Sequence, residues 1–350
     1  MAQTHIVGCL LGTAVGDALG LPYEGLSRPR AAQLFGPPDR HRFFCGRGMV
    51  SDDTEHACMV AQALIAAGGE VEAFRRELAR RFRWLLLALP AGVGMATLRS
   101  ILRLWIGFGP ETSGVFSAGN GPAMRAAILG AAVDDPTVLR ALVRASSRIT
   151  HTDPKAEWGA CAIALAAQMA RQHATVSGHA FLDQLKAWLA PEPEELVSLL
   201  RAVVNSVAGG QSTRAFAESL GLSHGVSGYV YHSVPMVIHT WLSHPGDFRS
   251  ALTTAIACGG DTDTTGAVVG GIVGAAVGKE GIPREWLTRV REWPRSITWM
   301  ERLGGQIHGS VQSATEERPI ELPLYGVLPR NVFFLVVVLS HGVRRLLPPY

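Results

Sequence analysis

Apolar residues recur along most of this chain at intervals of three and four, the spacing that gathers them on one face of an α-helix. Alanine- and leucine-rich stretches with that period run over 55–67, 70–89, 94–107, 122–132, 136–148, 154–173, 180–190, 194–208, 228–243, 247–257 and 264–278. The alternation that marks a half-buried strand is almost absent. The pattern predicts an all-α chain with short connections, a compact orthogonal multi-helix domain. Asp135-Pro136 and Asp153-Pro154 each place an acidic N-cap before a proline at the first helical position. The period is lost from Ser310 to Arg330, where Pro319, Pro323 and Pro329 punctuate the chain, and 331–347 reads as a separate apolar helix or strand ending near Arg344 and Arg345. The predicted division is a domain over 1–309 and an extension over 310–350, packed on the domain or placed at an interface.

Two of these helices carry glycine at every fourth position: Gly8, Gly12, Gly16 and Gly20 in the first, and Gly266, Gly270, Gly274 and Gly278 in the late one. A four-residue period puts each set on one face. Glycine within a helix costs about 1 kcal/mol relative to alanine, and close approach of two backbones is the evident offset. The residues around both ladders are apolar nearly all round, so both helices are expected at the centre, packed on each other or on shared neighbours.

Composition narrows the class. Hydrophobic residues are 47% and charged residues 17%, enough to bury a sizeable core. A net charge of +3 on 350 residues gives no support for a dedicated nucleic-acid binder, and the arginines at 75, 76, 80, 81 and 83 alternate with Phe74, Glu77 and Leu78 as a solvated helix face does. Five scattered cysteines with no CxxC favour reduced, buried thiols over disulfides or a zinc knuckle. No leader pattern is visible at the N-terminus. The longest unbroken apolar run, Val332 to Leu339, is too short for a bilayer span of about 20 residues. The expectation is a cytoplasmic protein without a transmembrane segment, monomer or homodimer.

Chemistry concentrates in two acidic turns, each opening a buried helix. The first is Ser51-Asp52-Asp53-Thr54-Glu55, the second Gly260-Asp261-Thr262-Asp263-Thr264. A capping box accounts for one or two acids of the first, and in the second Asp263 can cap while Asp261 projects forward. A helix N-terminus tolerates one or two anions, and beyond that the mutual repulsion of carboxylates crowded into one turn favours an added cation. Oxygen-only ligands suit Mg²⁺, Mn²⁺ or Ca²⁺ rather than zinc. Two ions, one ion, or capping alone all remain open at this point. Gly119-Asn120-Gly121, just before Pro122, is either a phosphate cradle or an ordinary turn. His151 lies in a short link, and Glu24 falls just past the first glycine helix.

In their order and content, GCLLGTAVGDALGLPYEG, SDDTEHA, SAGNGPAMRAAILG, THTDPKAEWGACAIALA, SGYVYHSV and CGGDTDTTGAVVGGIVGAAVG resemble the ADP-ribosylglycohydrolase family over about residues 6 to 278. The resemblance implies an all-α fold around a binuclear centre of two Mg²⁺ (or Mn²⁺), cleaving ADP-ribose from a modified protein or a small ADP-ribosyl compound. It assigns Ser51, Asp52, Asp53, Asp261, Asp263 and Thr264 as metal ligands, Asp52, Asp263 and Glu24 to catalysis or gating, and Gly119, Asn120, Gly121, Met124, His151 and Tyr229 to the ligand. Gly92-Val93-Gly94 stands where some arginine-directed relatives carry an aspartate, which puts arginine specificity in doubt. Two rival readings are an inactive ADP-ribose-binding or crystallin-like relative and a di-metal phosphohydrolase.

Overall fold

The computed structural model describes residues 2–348 apart from 91, 174, 190–192 and 314. Among the described residues no strand forms beyond isolated backbone bridges. The helices in order are α1 (Ala2–Gly20), α2 (Arg28–Phe35), α3 (Asp52–Ala66), α4 (Val71–Leu85), α5 (Met95–Trp105), α6 (Gly121–Met124), α7 (Ala127–Ala132), α8 (Pro136–Arg148), α9 (Pro154–Gln172), α10 (Gly178–Trp188), α11 (Glu194–Ala208), α12 (Thr213–Ser219), α13 (Val230–Ser243), α14 (Phe248–Ala257), α15 (Thr262–Val277), α16 (Arg284–Arg289), α17 (Ile297–Ser313) and α18 (Leu324–Arg345).

The glycine ladders interlock. A Cβ placed on Gly8, Gly12, Gly16 or Gly20 would lie 2.3, 2.1, 2.0 or 2.1 Å from the carbonyl oxygens of Gly274, Gly270, Gly266 and Thr262 respectively. Any side chain there would occupy the opposite backbone. Helices α1 and α15 therefore touch main chain to main chain along their length. Their other faces are buried too: Leu10, Leu11, Val15, Val269, Ile272 and Val273 have essentially no exposed surface. The remaining helices wrap this pair, chiefly α3, α7, α9, α14 and α17.

Local signals behave as their chemistry requires. Asp135 accepts from the amides of Thr137 and Val138, and Asp153 from that of Lys155. Three readings need correction. The stretch 122–132 is two short helices, because the chain leaves helical geometry at Arg125, whose guanidinium turns inward and back to Gly121 O (3.1 Å). Asp261, not Asp263, stands at the cap position of α15, and Asp263 lies inside its first turn. Helices α2, α12, α16 and α17 were not legible as periods: α2 buries only Ala31. Within α17, Gly304 dilutes the apolar stripe while allowing close contact with Val7.

The apolar run Val332–Leu339 lies inside one continuous helix, α18, so run length understated it. Among the described residues two helices have the length and apolarity to cross a membrane, α1 and α18; the apolar stretch of the first is 94% buried against 33% for the second.

Candidate functional site

Ser51 caps α3 with its hydroxyl, which accepts from the Asp53 amide (3.3 Å). Asp52 and Asp53 follow in the first helical turn, where unpaired amides favour an anion. Asp53 is buried and Asp52 half-buried. At the other end of the chain, the left-handed Gly259 and Gly260 swing the backbone beneath Val226, and the Asp261 amide donates to Val226 O (2.7 Å). That places Asp261 at the start of α15 with Asp263 and Thr264 buried behind it.

The two turns meet. Thr264 Oγ1 donates to Asp53 Oδ2 (3.2 Å), which also accepts from Ser51 Oγ (3.1 Å). The contact joins residues 211 apart in sequence and closes a ring of oxygen donors from both acidic turns. Glu24 stands on the rim: Gly25 N–H donates to Gly260 O (2.8 Å), tying its loop to the second turn. Gly92 lies on the other side, where a Cβ would come 3.2 Å from Asp52 Oδ1.

The electrostatics of this ring are unfavourable without a cation. Burial, followed by the neighbouring acids, pushes the carboxyls of Asp53 and Asp263 well above their ordinary values. Burial, then Asp17 and Glu55, does the same to Asp52, and burial, then Asp261, raises Glu24. Asp53 Oδ1 and Asp263 Oδ1 are buried with no hydrogen-bond partner. An unsatisfied buried carboxylate oxygen is costly, and a hard divalent ion is the partner that suits oxygen donors of this kind. The donor chemistry fits Mg²⁺ or Mn²⁺. Among the described residues no three acidic, histidine or cysteine side chains are posed about one point.

Asp17 was not singled out from the sequence as a site residue. It is fully buried in α1 and accepts from the amides of Ser51 (2.9 Å) and Thr54 (3.2 Å) and from Thr54 Oγ1 (2.5 Å). It thereby fixes the entry of α3 from which the first acids project. Burial, opposed by those hydrogen bonds, pushes its carboxyl up to about 7. The signal was available: in the first helix, Asp17 is the one acid among apolar residues and glycines.

The glycine-asparagine loop closes the cleft from a third side. Asn120 Nδ2 donates to Asp261 Oδ2 (2.7 Å), and Asn120 N–H to Gly228 O (2.9 Å). Gly119 bridges Tyr229, whose hydroxyl accepts from Lys155 Nζ (3.0 Å). The His151 ring lies beneath the loop, where a Cβ on Gly121 would come 2.8 Å from it. Burial and then Arg125 lower His151 to about 3, so it stays neutral. Arg125 is itself fully buried, held by Ser146 and Thr150 with its guanidinium 4.9 Å from the Phe82 ring. The amides of Gly119 and Asn120 are thus already engaged, by Ser117 Oγ and Gly228 O, which weakens a cradle of free N–H groups. Met124 is buried in the core.

Behind the first turn, Val50 N–H donates to Glu292 Oε2 (3.1 Å), and Val50 O accepts from Arg330, which also pairs with Glu292 (2.6 Å). Arg295 pairs with the buried Glu55 (2.8 Å). A residue of the C-terminal helix therefore braces the backbone one position before Ser51.

Residues 2–317 match the family model described as ADP-ribosylglycohydrolase. The ADP-ribosyl-dinitrogen reductase glycohydrolase of Rhodospirillum rubrum is 30% identical over 316 residues, 85% of this chain and 96% of that protein. The human ADP-ribosylhydrolase ARH3 is 28% identical, covering 80% and 87% of the two chains. A solved structure described as an ADP-ribosylglycohydrolase-related protein complex superposes with a TM-score of 0.63 at 27% identity, over 89% of this chain and 99% of that one.

Proposed function

Because the chain belongs to the ADP-ribosylglycohydrolase family, we propose that it is a hydrolase releasing ADP-ribose from a modified protein side chain or a small ADP-ribosyl compound, with two Mg²⁺ or Mn²⁺ held by the two acidic turns. The observation that carries this reading is the Thr264–Asp53 contact, with the two partnerless carboxylate oxygens beside it.

Ser51, Asp52, Asp53, Asp261, Asp263 and Thr264 supply hydroxyl and carboxylate oxygens suited to hard cations. Bound divalent cations supply charge stabilisation and activation of water. The chain's own groups do the rest. Glycosidic cleavage passes through a transition state like an oxocarbenium ion. The clustered carboxylates face that developing positive charge from fixed positions, which is where pre-arranged electrostatics contribute most. Asp52 is the least enclosed acid of the first turn, and its raised carboxyl suits it to accept a proton from attacking water. Asp263 is placed to orient that water through its free oxygen. Glu24, on the rim, serves as gate or further acid.

The Gly119–Gly121 loop and Tyr229 wall the cleft beside Asp261, where the diphosphate and adenosine of the substrate would lie. Neutral His151 buttresses this loop from below. Opposite Asp52 the chain offers Gly92 rather than an acid, so a substrate guanidinium finds no carboxylate there. That favours acceptors other than arginine.

Arginine-, serine-, nucleic-acid- and O-acetyl-linked ADP-ribose, assayed with Mg²⁺, Mn²⁺ and EDTA, test the proposal. Free ADP-ribose that EDTA abolishes is the expected product. AMP or phosphate would assign phosphoryl chemistry instead, and tight ADP-ribose binding without turnover an inactive relative.

A further inference from the structure

Helix α18 is apolar on both faces: Val327, Phe334 and Val337 are buried against the domain, the last two beside Leu21, Phe43 and Met49. Its polar side chains turn towards the domain: Arg330 pairs with Glu292, Asn331 donates to Ala88 O (2.8 Å), His341 bonds Phe43 O, and Arg345 donates to Pro22 O (3.2 Å). A second set of apolar side chains turns to water. Leu328, Phe333, Val336, Leu339 and Val343 of the helix, and Leu347 just past its end, are 44–60% exposed. A helix on the surface of a water-soluble domain normally turns polar residues outward. An apolar row of this length is costly in water and marks a surface that something covers.

The chemistry around the row identifies the cover. From Leu322 to Tyr350 the sequence contains no acid. Exposed Arg344 ends the helix. Exposed Arg47 lies one turn from Phe44, whose ring meets that of Phe333 at 5.3 Å, and exposed Arg291 is hydrogen-bonded to the neighbouring Gly48 O. Glu292, Glu321 and Asp39 are engaged by Arg330, Arg318 and Arg42 respectively. At the start of the helix the Trp293 and Tyr325 rings stand 6.2 Å apart, both exposed. A groove of about 810 Å³, lined in part by Trp84, Leu87, Tyr325 and Leu328, extends the apolar surface. Apolar row, amphipathic aromatics at one end and, along the rim, arginines that form no ion pair among the described residues (Arg344 donates only to the Leu347 and Pro348 carbonyls) are the composition of a helix lying in a bilayer interface.

We propose that the outer face of α18 docks this protein on a lipid bilayer bearing anionic headgroups, with the helix in the membrane plane. The apolar row enters the acyl boundary, and Arg47, Arg291 and Arg344 meet the phosphates. The helix lies on the membrane rather than through it, because four polar ties along its inner side hold it to the domain. A second copy fits less well: a two-fold contact sets the same arginines against each other with no acid on the helix to receive them.

Co-sedimentation of the full chain with vesicles tests this. Vesicles of phosphatidylcholine with about one quarter phosphatidylglycerol are compared with phosphatidylcholine alone, since each basic residue near an anionic surface adds appreciably to binding. The expected result is pelleting with the anionic vesicles and about ten-fold weaker binding to the neutral ones. In about 1 M salt, which screens beyond roughly 3 Å, the difference should vanish. The triple variant Val336→Ser, Leu339→Ser, Val343→Ser should lose pelleting while keeping its thermal melt and its turnover. Arg344→Glu should weaken only the anionic arm. Failure to pellet with either vesicle, equal binding to both at low salt, or pelleting untouched by the serine triple overturns the proposal. So does a lipid-free dimer, seen by sedimentation equilibrium, that the serine triple dissociates, since a second copy then covers the face.

Discussion

Alanine at Gly16 pits helix propensity against backbone contact. Its Cβ would sit 2.0 Å from Gly266 O, and ordinary contact begins near 3.4 Å, so the helices must part by 3.4 − 2.0 = 1.4 Å. The obstacle is main chain, which cannot rotate aside. A gap of 0.5–1 Å already forfeits about a quarter to a half of the dispersion energy across it, and overpacking costs about 1–3 kcal/mol or more. Alanine's propensity returns about 1 kcal/mol. The net expectation is a loss of about 2 kcal/mol, roughly a 30-fold fall in the folded-to-unfolded ratio. Gly8→Ala needs a parting of 3.4 − 2.3 = 1.1 Å and should cost nearly as much. The two differ in consequence. Gly16 adjoins Asp17 and lies one turn from Gly20, which meets Thr262, whereas Gly8 is 12 residues, about 18 Å, from Gly20 along the axis. Guanidinium denaturation followed by circular dichroism should show both midpoints lowered at unchanged slope. Calorimetric titration with Mn²⁺ should show affinity reduced about ten-fold or more by Gly16→Ala and within about two-fold of wild type for Gly8→Ala. Unchanged midpoints would refute the ladder argument, and equal Mn²⁺ affinities would refute its coupling to the site.

Arg330→Met strands buried Glu292, and breaking such a pair costs about 3–5 kcal/mol; adding Glu292→Met should recover most of that in the same denaturation assay. Asp53→Asn and Asp263→Asn remove a like charge from a crowded, buried group. Each should raise the melting temperature in EDTA, abolish the rise that Mg²⁺ gives the wild type, and lower turnover at least about 100-fold; turnover within a few-fold of wild type would dismiss their catalytic assignment. His151 titrates at about 3 in the fold against 6.5 as a free side chain. The unfolded chain therefore binds its proton first as pH falls, so the contribution is intact above 6.5 and lost progressively down to about 3. Between pH 7 and pH 5 the wild type should lose about 1–2 kcal/mol more than His151→Gln, which parallel denaturation curves at the two pH values would reveal.

Much of this was legible because the signals are local or periodic. The ladders predicted close packing, on each other or on shared neighbours, and the structure makes it mutual; seven of the eight glycines lie inside the helices and Gly278 just past the end of α15. The two acidic turns were legible as clusters, but their residues left capping alone as open as a shared cation, and only the resemblance paired them. What stayed hidden depends on three-dimensional context. Asp17 accepts hydrogen bonds from residues 34 and 37 positions away, and Arg330 reaches Val50 across 280; no local pattern encodes either. Asp263 failed as the cap because Gly259 and Gly260 start the helix earlier than the apolar period does. Helix α18 was split in the reading because Pro329 and the buried polar pair Arg330 and Asn331 interrupt its apolar run.

If the two acidic turns share divalent cations, Mn²⁺ makes the sharing directly visible. Crystals grown in Mn²⁺ and measured at its absorption edge should give anomalous peaks between α3 and α15, about 2.1 Å from Asp53 and Asp263 oxygens. An ordered structure in saturating Mn²⁺ with no anomalous density between those side chains would contradict it.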